Sequence, residues 1–474
     1  MTNWLENGFA SLSAIELAHA IRRRAVSCVE VIETCLARID ALNPRINAFC
    51  TVLHDEAREA ARQADAALAH GERLGPLHGI PVALKDLTLT KGVRTTRGSR
   101  LFEHFVPQVD SLIVERIRAA GGIIVGKTNT PEFGHKAVTD NLIFGPTRNP
   151  WHTDYVAGGS SGGSSAAVAA GMVPFAEGSD GAGSIRIPAS MCGVVGFKPS
   201  YGRVPDVLGA FSSHAPFFHN GPLARSVADA ALLYQAMAGP DMSDPFSVPA
   251  DEDVFRTLED GLRGARIGYS HDLGCFAVDD EVRRAFDAAL EVFRALGCTV
   301  EEVAPDFDPD LERSFSVLWY AKLATGYAGL PAEQLELLEP KVRELIDEGT
   351  RLSAIDYGRA TLAREAVWEK LLPVHRRYDF LVCPTTAVAP FPIAEGPPRR
   401  IAGREVSPLL GWFLTYPFNM TGNPAVSVPC GRSAAGLPIG LQIVGRRLDD
   451  ARVLQAARSF ERIAPWPLVA EAPR

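Results

Sequence analysis

The chain has 474 residues, 46% of them hydrophobic and 22% charged, with a formal net charge of -8 and a pI near 5.8. This composition fits a soluble globular protein, and the acidic balance leaves no electrostatic footprint for nucleic acid or an anionic membrane. A chain this long can bury a large core without staples, so Cys28, Cys35, Cys50, Cys192, Cys275, Cys298, Cys383 and Cys430, which form no CxxC pair, read as reduced core residues.

The opening stretch MTNWLENGFASLSA lacks a basic segment followed by an apolar one, so no secretory signal is expected. No apolar run reaches the roughly 18 residues of a membrane span. A cytoplasmic protein is the expectation. Residues 13–42 read as two helices, the second opened by a Ser27/Glu30 capping box ahead of VEVIETCLARI. A third helix is expected across 54–70, then a strand at GIPVAL (79–84), a helix over 111–120 and a buried strand at GIIVG (122–126). Strand, helix and strand in quick alternation point to an α/β architecture.

The stretch 156–203 is dense in Gly, Ser and Ala and nearly free of charge. Flexible linkers are also Gly/Ser-rich, but a linker would not run into AAVAAGMVPFA, which reads as a buried Ala-rich helix. Small residues here allow close backbone packing and unusual φ values, so the segment reads as a rigid catalytic centre. Downstream come a strand at 266–270, an amphipathic helix at 279–296 and a long helical region over about 309–376. Strands at 380–385, 425–430 and 440–445 and a helix at 449–463 close the chain. No linker interrupts the series. The expectation is one domain spanning 1–474: a single large mixed β-sheet covered on both faces by helices, with 309–376 as a helical insertion or cap.

Two motifs invite other chemistries. Gly121–Thr128, GGIIVGKT, matches the Walker A pattern, which requires a phosphate-cradling loop between strand and helix. Here the intervening Gly-Ile-Ile-Val reads as the strand itself, and NTPEFG is a poor helix start. Gly158–Gly162 matches the G-x-S-x-G elbow, but PWHTDYV before it is a poor central strand. The downstream histidines, His214, His219, His271 and His375, carry no distinguishing context. No clustered His/Cys/carboxylate spacing suggests a metal, and no cofactor is called for. Asn419-Met420-Thr421 matches a glycosylation sequon and is read as chance.

GSDGAGSIRIP (178–188) carries more chemistry. Small residues ahead of Ser184 let several N–H groups converge on one point, as an oxyanion hole requires, although a tight turn has the same composition. A nucleophilic Ser needs a base. Lys85 ends a run of buried-strand type, and burial would lower its proton affinity toward a competent value. A strand-end Lys snorkelling to solvent and paired to Asp86 is the rival reading, and spacing alone does not separate the two.

The block GGSSGGSSAAVAAGMVPFAEGSDGAGSIRIPASMCGVVGFKPSYGRV (158–204) resembles the signature block of the amidase-signature family. GIPVALKD (79–86), GKTNTPEFG (126–134), FGPTRNPW (144–151), GPLARSVADAA (221–231) and PAVSVPCG (424–431) are similar to further segments of that family. The resemblance spans roughly residues 10–465 and implies a Ser–cisSer–Lys triad. Lys85 stands in the lysine position, Ser160 in the cis-serine position and Ser184 in the nucleophile position, with the serines 24 residues apart. It further implies a cis Gly159–Ser160 bond, an oxyanion hole of the N–H groups of Gly181, Ala182, Gly183 and Ser184, and supporting roles for Ser161, Asp180 and Arg186. Many members read Gly-Gly-Ser where this chain reads Ala182-Gly183-Ser184; if that position needs positive φ, Ala costs about 1–2 kcal/mol more than Gly.

The implied activity is hydrolysis of a carboxylic amide, with a small aryl or alkyl amide as substrate, no nucleic acid or membrane partner, and a homodimer as the working guess for assembly. Two rivals stand beside it. One is a glutaminase component of a glutamyl-tRNA amidotransferase, its A chain, working in a translation complex; many such chains carry Gln where Ile187 stands, and WFLTYPFNMTGNP (412–424) suits an apolar group better than glutamine. The other is a non-catalytic relative, which would be expected to have lost a triad residue.

Overall fold

The computed structural model describes residues 9–206, 218–250 and 253–470. Its strands are β1 (Phe49–Val52), β2 (Pro81–Lys85), β3 (Ile123–Thr128), β4 (Arg148–Asn149), β5 (His152–Val156), β6 (Phe175–Asp180), β7 (Val195–Lys198), β8 (His219–Ala224), β9 (Arg266–Tyr269), β10 (Thr299–Glu302), β11 (Phe380–Pro384), β12 (Arg400–Ile401), β13 (Arg404–Glu405), β14 (Ala425–Arg432) and β15 (Pro438–Val444). Eleven of them form one sheet in the order β1-β3-β2-β6-β8-β7-β14-β15-β11-β9-β10. Pairing is parallel for β3-β2-β6 and β11-β9-β10 and antiparallel elsewhere, so the sheet is mixed. Helices flank it, as expected from the alternation of patterns.

The six sheet strands expected from apolar runs all form. Five more, β1, β6, β7, β8 and β10, were not legible, and the central β6 and β8 show why. FAEGSD and HNGPLA carry Gly, Pro, Asp and Asn, residues depleted in strands, yet every residue of both is buried. Their sheet context overrides local preference. The two N-terminal helices form at Ala14–Arg22 and Cys28–Ile46, and the Ser27/Glu30 capping box is present.

The helical region resolves into Leu311–Tyr327, Ala332–Leu335, Pro340–Thr350 and Ala354–Arg377. Leu323, Leu338, Val342, Leu345 and Ile346 form a small apolar core of their own there, against which Leu101, Phe133 and Trp319 pack. The insertion is thereby seated over the loops beyond β2 and β3. Among the described residues no helix is long and apolar enough to cross a membrane.

From Val156 to Pro205 every residue is buried except Ala182, which is half-buried. A linker cannot look like this. Of AAVAAGMVPFA (166–176), expected as a helix, only 166–169 is helical, within Gly162–Ala169, and Phe175 and Ala176 open β6; a second helix, Arg186–Cys192, packs beside the first. The Walker-like Gly121–Thr128 runs into β3, where Lys127 is fully buried and donates to Thr88 O, Thr90 Oγ1 (3.1 Å) and Thr95 Oγ1 (3.2 Å). No phosphate cradle exists there. The elbow-like Gly158–Gly162 follows β5, a strand of a two-stranded hairpin outside the main sheet.

Candidate active site

β2 runs between β3 and β6 and delivers Lys85 at its end, fully buried. Its Nζ donates to Ser160 Oγ at 2.7 Å and to Ser179 Oγ at 3.0 Å. Burial pushes the Lys85 pKa down to about 7, against the opposing pull of the Glu177 and Asp180 charges. The rival pairing with Asp86 does not occur: Asp86 Oδ2 instead accepts from Thr96 N (2.9 Å) and Thr96 Oγ1 (2.5 Å). Glu177 anchors the strand end, its Oε2 accepting from Lys85 N and from Thr88 Oγ1, both at 2.9 Å.

Ser160 is set by a loop of small residues. The Gly159–Ser160 peptide is cis, and Gly158 holds φ +75°. A Cβ at Gly158 would lie 2.8 Å from Pro188 Cα, and one at Gly159 2.8 Å from Val138 C, so both positions require glycine. Ser161 braces the loop against β6: its Oγ donates to Ser179 O (3.2 Å) and accepts from Ser179 N (3.3 Å). Its N–H donates to Ser184 O (3.1 Å), which ties the two serine segments together through the backbone. The Ser160 and Ser184 hydroxyls are not themselves joined by a hydrogen bond.

Asp180 closes β6, and the chain turns through Gly181–Ser184 into the helix Arg186–Cys192. The Asp180 carboxylate organises this turn. It accepts from Gly183 N (2.7 Å), Ile185 N (3.3 Å), the Nε and Nη2 of one edge of the Arg186 guanidinium (3.0 Å each) and Asn419 Nδ2 (2.8 Å). Burial works against its charge, but Arg186, then Lys198 and Asn419, more than offset this and hold it well below the usual carboxylate range. Arg186 is also fully buried and completes its valences on Thr415 O (3.0 Å), Gln442 Oε1 (3.0 Å) and Asn419 Oδ1 (2.6 Å).

One sequence expectation changes here. Gly183 N–H is spent on Asp180, so it is not a free oxyanion donor. Among the described residues no protein acceptor takes the N–H of Gly181, Ala182 or Ser184. The doubt over Ala182 also resolves. Positive φ falls on Gly183 (+128°), and Ala182 is not among the residues with φ above zero.

Partners of this cluster that the sequence did not single out are Ser179, Glu177, Thr415, Asn419 and Gln442. Asn419 of the sequon is fully buried on Asp180, which closes it to glycosylation. Of the histidines, His219 abuts Lys198 and Asp180 O, His271 pairs with Asp287 and His375 contacts Asn423, while His214 lies outside the described residues.

Two cavities flank the turn. A small one of about 20 Å³ is lined by Ser184, Ala182, Ile187, Phe315, Trp319 and Phe413 among others. A larger one of about 1190 Å³ is lined by Ser179, Phe133, Phe218, Trp319 and Tyr327 among others. Trp319 borders both. Most of 412–424 is simply core, and Phe413 alone of its aromatics reaches the small cavity.

Residues 30–454 match the model of the family described as amidase. The chain belongs to the amidase family. It is an enzyme of the class that cleaves amide C–N bonds. This amidase is 42% identical to an acylamidase of Rhodococcus erythropolis over 460 residues, 96% of each chain. It is also 41% identical to the A component of the glutamyl-tRNA(Gln) amidotransferase of Synechococcus sp. (strain CC9605), over 93% of this chain and 94% of that one. In structure it is similar to a bacterial aryl acylamidase (TM-score 0.93, 34% identity, 96% of each chain). A 6-aminohexanoate cyclic dimer hydrolase complexed with substrate is similar too (TM-score 0.87, 31% identity, 98% of this chain and 99% of that one).

Proposed function

We propose that this amidase is a free-standing, cytoplasmic acylamidase that cleaves amides of a small acyl group and a bulky aryl amine through a Ser184 acyl-enzyme. The observation that carries the reading is the fully buried Lys85 with Nζ 2.7 Å from Ser160 Oγ. Neutral Lys85 takes the Ser160 proton while Ser160 takes that of Ser184. Ser184 Oγ bonds to the carbonyl carbon, and the oxyanion rests on N–H groups of Gly181, Ala182 and Ser184. The C–N bond breaks as the proton returns from Lys85 through Ser160 to the amine. Water then gives its proton to the same relay, attacks the ester carbon and frees Ser184. The relay needs the Ser160–Ser184 hydroxyl bond to form when substrate seats, as catalytic hydrogen bonds commonly tighten on binding.

Cavity sizes support the division of substrate. About 20 Å³ accommodates little more than one water-sized group, which suits a short acyl chain, whereas about 1190 Å³ leaves room for an aryl amine. The eight free cysteines suit a reducing compartment.

Glutaminase action within an amidotransferase is the second reading, favoured by the 41% identity to the Synechococcus protein. Ile187 on the wall of the small cavity argues against it, because an apolar side chain offers glutamine no hydrogen bond.

The test is intact-mass spectrometry after phenylmethylsulfonyl fluoride, on the wild type and Ser184→Ala, beside assays on acetanilides and glutamine. One adduct on the wild type alone, with anilide turnover that Ser184→Ala lacks, is expected. Full activity in Ser184→Ala refutes the mechanism, and glutamine turnover without anilide turnover moves the assignment to the second reading.

A further inference from the structure

Lys322 lies on the helix Leu311–Tyr327, one turn beyond Trp319, and lines the large cavity. Its Nζ sits 4.7 Å from the centroid of the Phe218 ring. Among the described residues it meets no hydrogen-bond acceptor and no carboxylate at ion-pair distance. Burial pushes its pKa down to about 8, with the Asp206 charge pulling the other way, so the ammonium remains the main form at neutral pH. Lys322 is half-buried, and at the cavity wall its ammonium has one ring face and no protein acceptor to balance its charge.

A second cation stands nearby, hydrogen-bonded to Tyr327. Arg97 lines the same cavity, its guanidinium 4.8 Å from the Phe102 ring centroid, and its Nε is buried without a partner. Asp206 is the only acid among the lining residues described. In a chain of net charge -8, a cavity with two cations to one carboxylate is a local inversion of charge. Such a concave, low-dielectric wall of one sign selects the opposite sign in its ligand.

The cavity's position relates this charge to the reaction. A Cβ placed on Gly181 would lie 3.1 Å from Phe218 Cδ2 and 3.1 Å from Trp319 Cζ3. The ring carrying the Lys322 ammonium on its face therefore touches the oxyanion turn with its edge. An amine seated along Phe218 and Trp319 would reach Lys322 with its far end, one aromatic ring away from the scissile nitrogen.

We propose that the leaving amine carries a carboxylate at the end remote from the amide, bound by Lys322 with Arg97 as the second cation, so that the preferred substrates are N-acyl aminoaryl carboxylates. This rests on the acylamidase reading above, and its test separates the two. Binding of 4-acetamidobenzoate and of its neutral counterpart 4-acetamidotoluene is measured by calorimetry on Ser184→Ala, with and without Lys322→Met or Lys322→Arg. The kcat/KM of each amide is measured on the corresponding proteins with Ser184 intact.

The expected result is at least tenfold tighter binding of the carboxylate, a preference that weakens with added salt. Lys322→Met collapses the carboxylate-to-methyl ratio about tenfold, chiefly through KM, and Lys322→Arg restores much of it. Equal binding of both amides, or a ratio unmoved by Lys322→Met, overturns the inference. If the neutral amide is turned over in that case, the acylamidase reading stands. Absence of turnover for both amides, with no acyl adduct on Ser184, removes that reading instead, and the binding ratio still decides the role of Lys322.

Discussion

If Lys85 is the base, the acylation rate must follow its neutral fraction, and the structure fixes where that fraction changes. An ordinary lysine titrates near 10.4, whereas burial brings this one to about 7. The neutral fraction is then about 9% at pH 6, about 50% at pH 7 and about 91% at pH 8. The acylation rate is therefore expected to rise roughly tenfold from pH 6 to 8 and to gain less than about a tenth more by pH 9. An unshifted lysine would give a rate climbing tenfold per unit, roughly a thousandfold from pH 6 to 9. The assay is single-turnover release of 4-nitroaniline from its acetyl amide with enzyme in excess, so that product release does not mask chemistry. A profile flat from pH 6, or one still climbing at unit slope at pH 9, refutes Lys85 as the base in this environment. The sign is fixed by the proton: the neutral form is the active one, so activity is lost as pH falls through 7, not as it rises.

Two further perturbations probe the turn. Arg186→Met removes every positive partner that touches the buried Asp180 carboxylate, and is expected to lower stability by about 3–5 kcal/mol, read as a shifted denaturant midpoint at unchanged m-value; a shift below about 1 kcal/mol contradicts the account of the pair. Gly183→Ala would place a Cβ 2.0 Å from Thr415 Oγ1 at φ +128°, and is expected to cost activity at least a hundredfold, whereas Ala182→Gly stays within about threefold of wild type; comparable losses in both variants would contradict the assignment of the strained position.

Most of the fold's outline was legible because its markers are local. The Ser27/Glu30 box, the β-branched runs at 123–128 and 439–444 and the amphipathic helix Asp280–Ala295 each state their structure within a few residues. The middle of the sheet was not legible, because β6 and β8 are built of residues chosen for the site they carry rather than for strand preference. Ser184 and Lys85 were singled out from their local runs, but only the resemblance joined them with Ser160. Lys85 and Ser160 lie 75 residues apart, and it is the pairing of β2 with β3 and β6 that brings Lys85 under the loop before the helix Gly162–Ala169. The partners of Asp180 and Arg186 were beyond reach for the same reason. Asn419 is 239 residues from Asp180 and Gln442 is 256 from Arg186, and neither has a local pattern that announces a partner.

The Asp180–Arg186 pair is better understood through the geometry it imposes than through the stability it adds. Buried ion pairs seldom exceed an apolar replacement in net stability, since desolvation consumes most of the attraction. What an apolar pair could not do is hold the turn. Asp180 takes the N–H groups of Gly183 and Ile185, on either side of Ser184, and Arg186 and Asn419 fix the carboxylate that takes them. With those two donors turned inward, the remaining N–H groups of Gly181, Ala182 and Ser184 meet no acceptor among the described residues, beside the half-buried Ala182. The turn needs only one residue of positive φ to do this, and Gly183 supplies it. That is why an alanine at 182, in place of the glycine common in the family, leaves these N–H groups in place: the positive φ falls on the residue whose N–H is spent on Asp180, not on its neighbours.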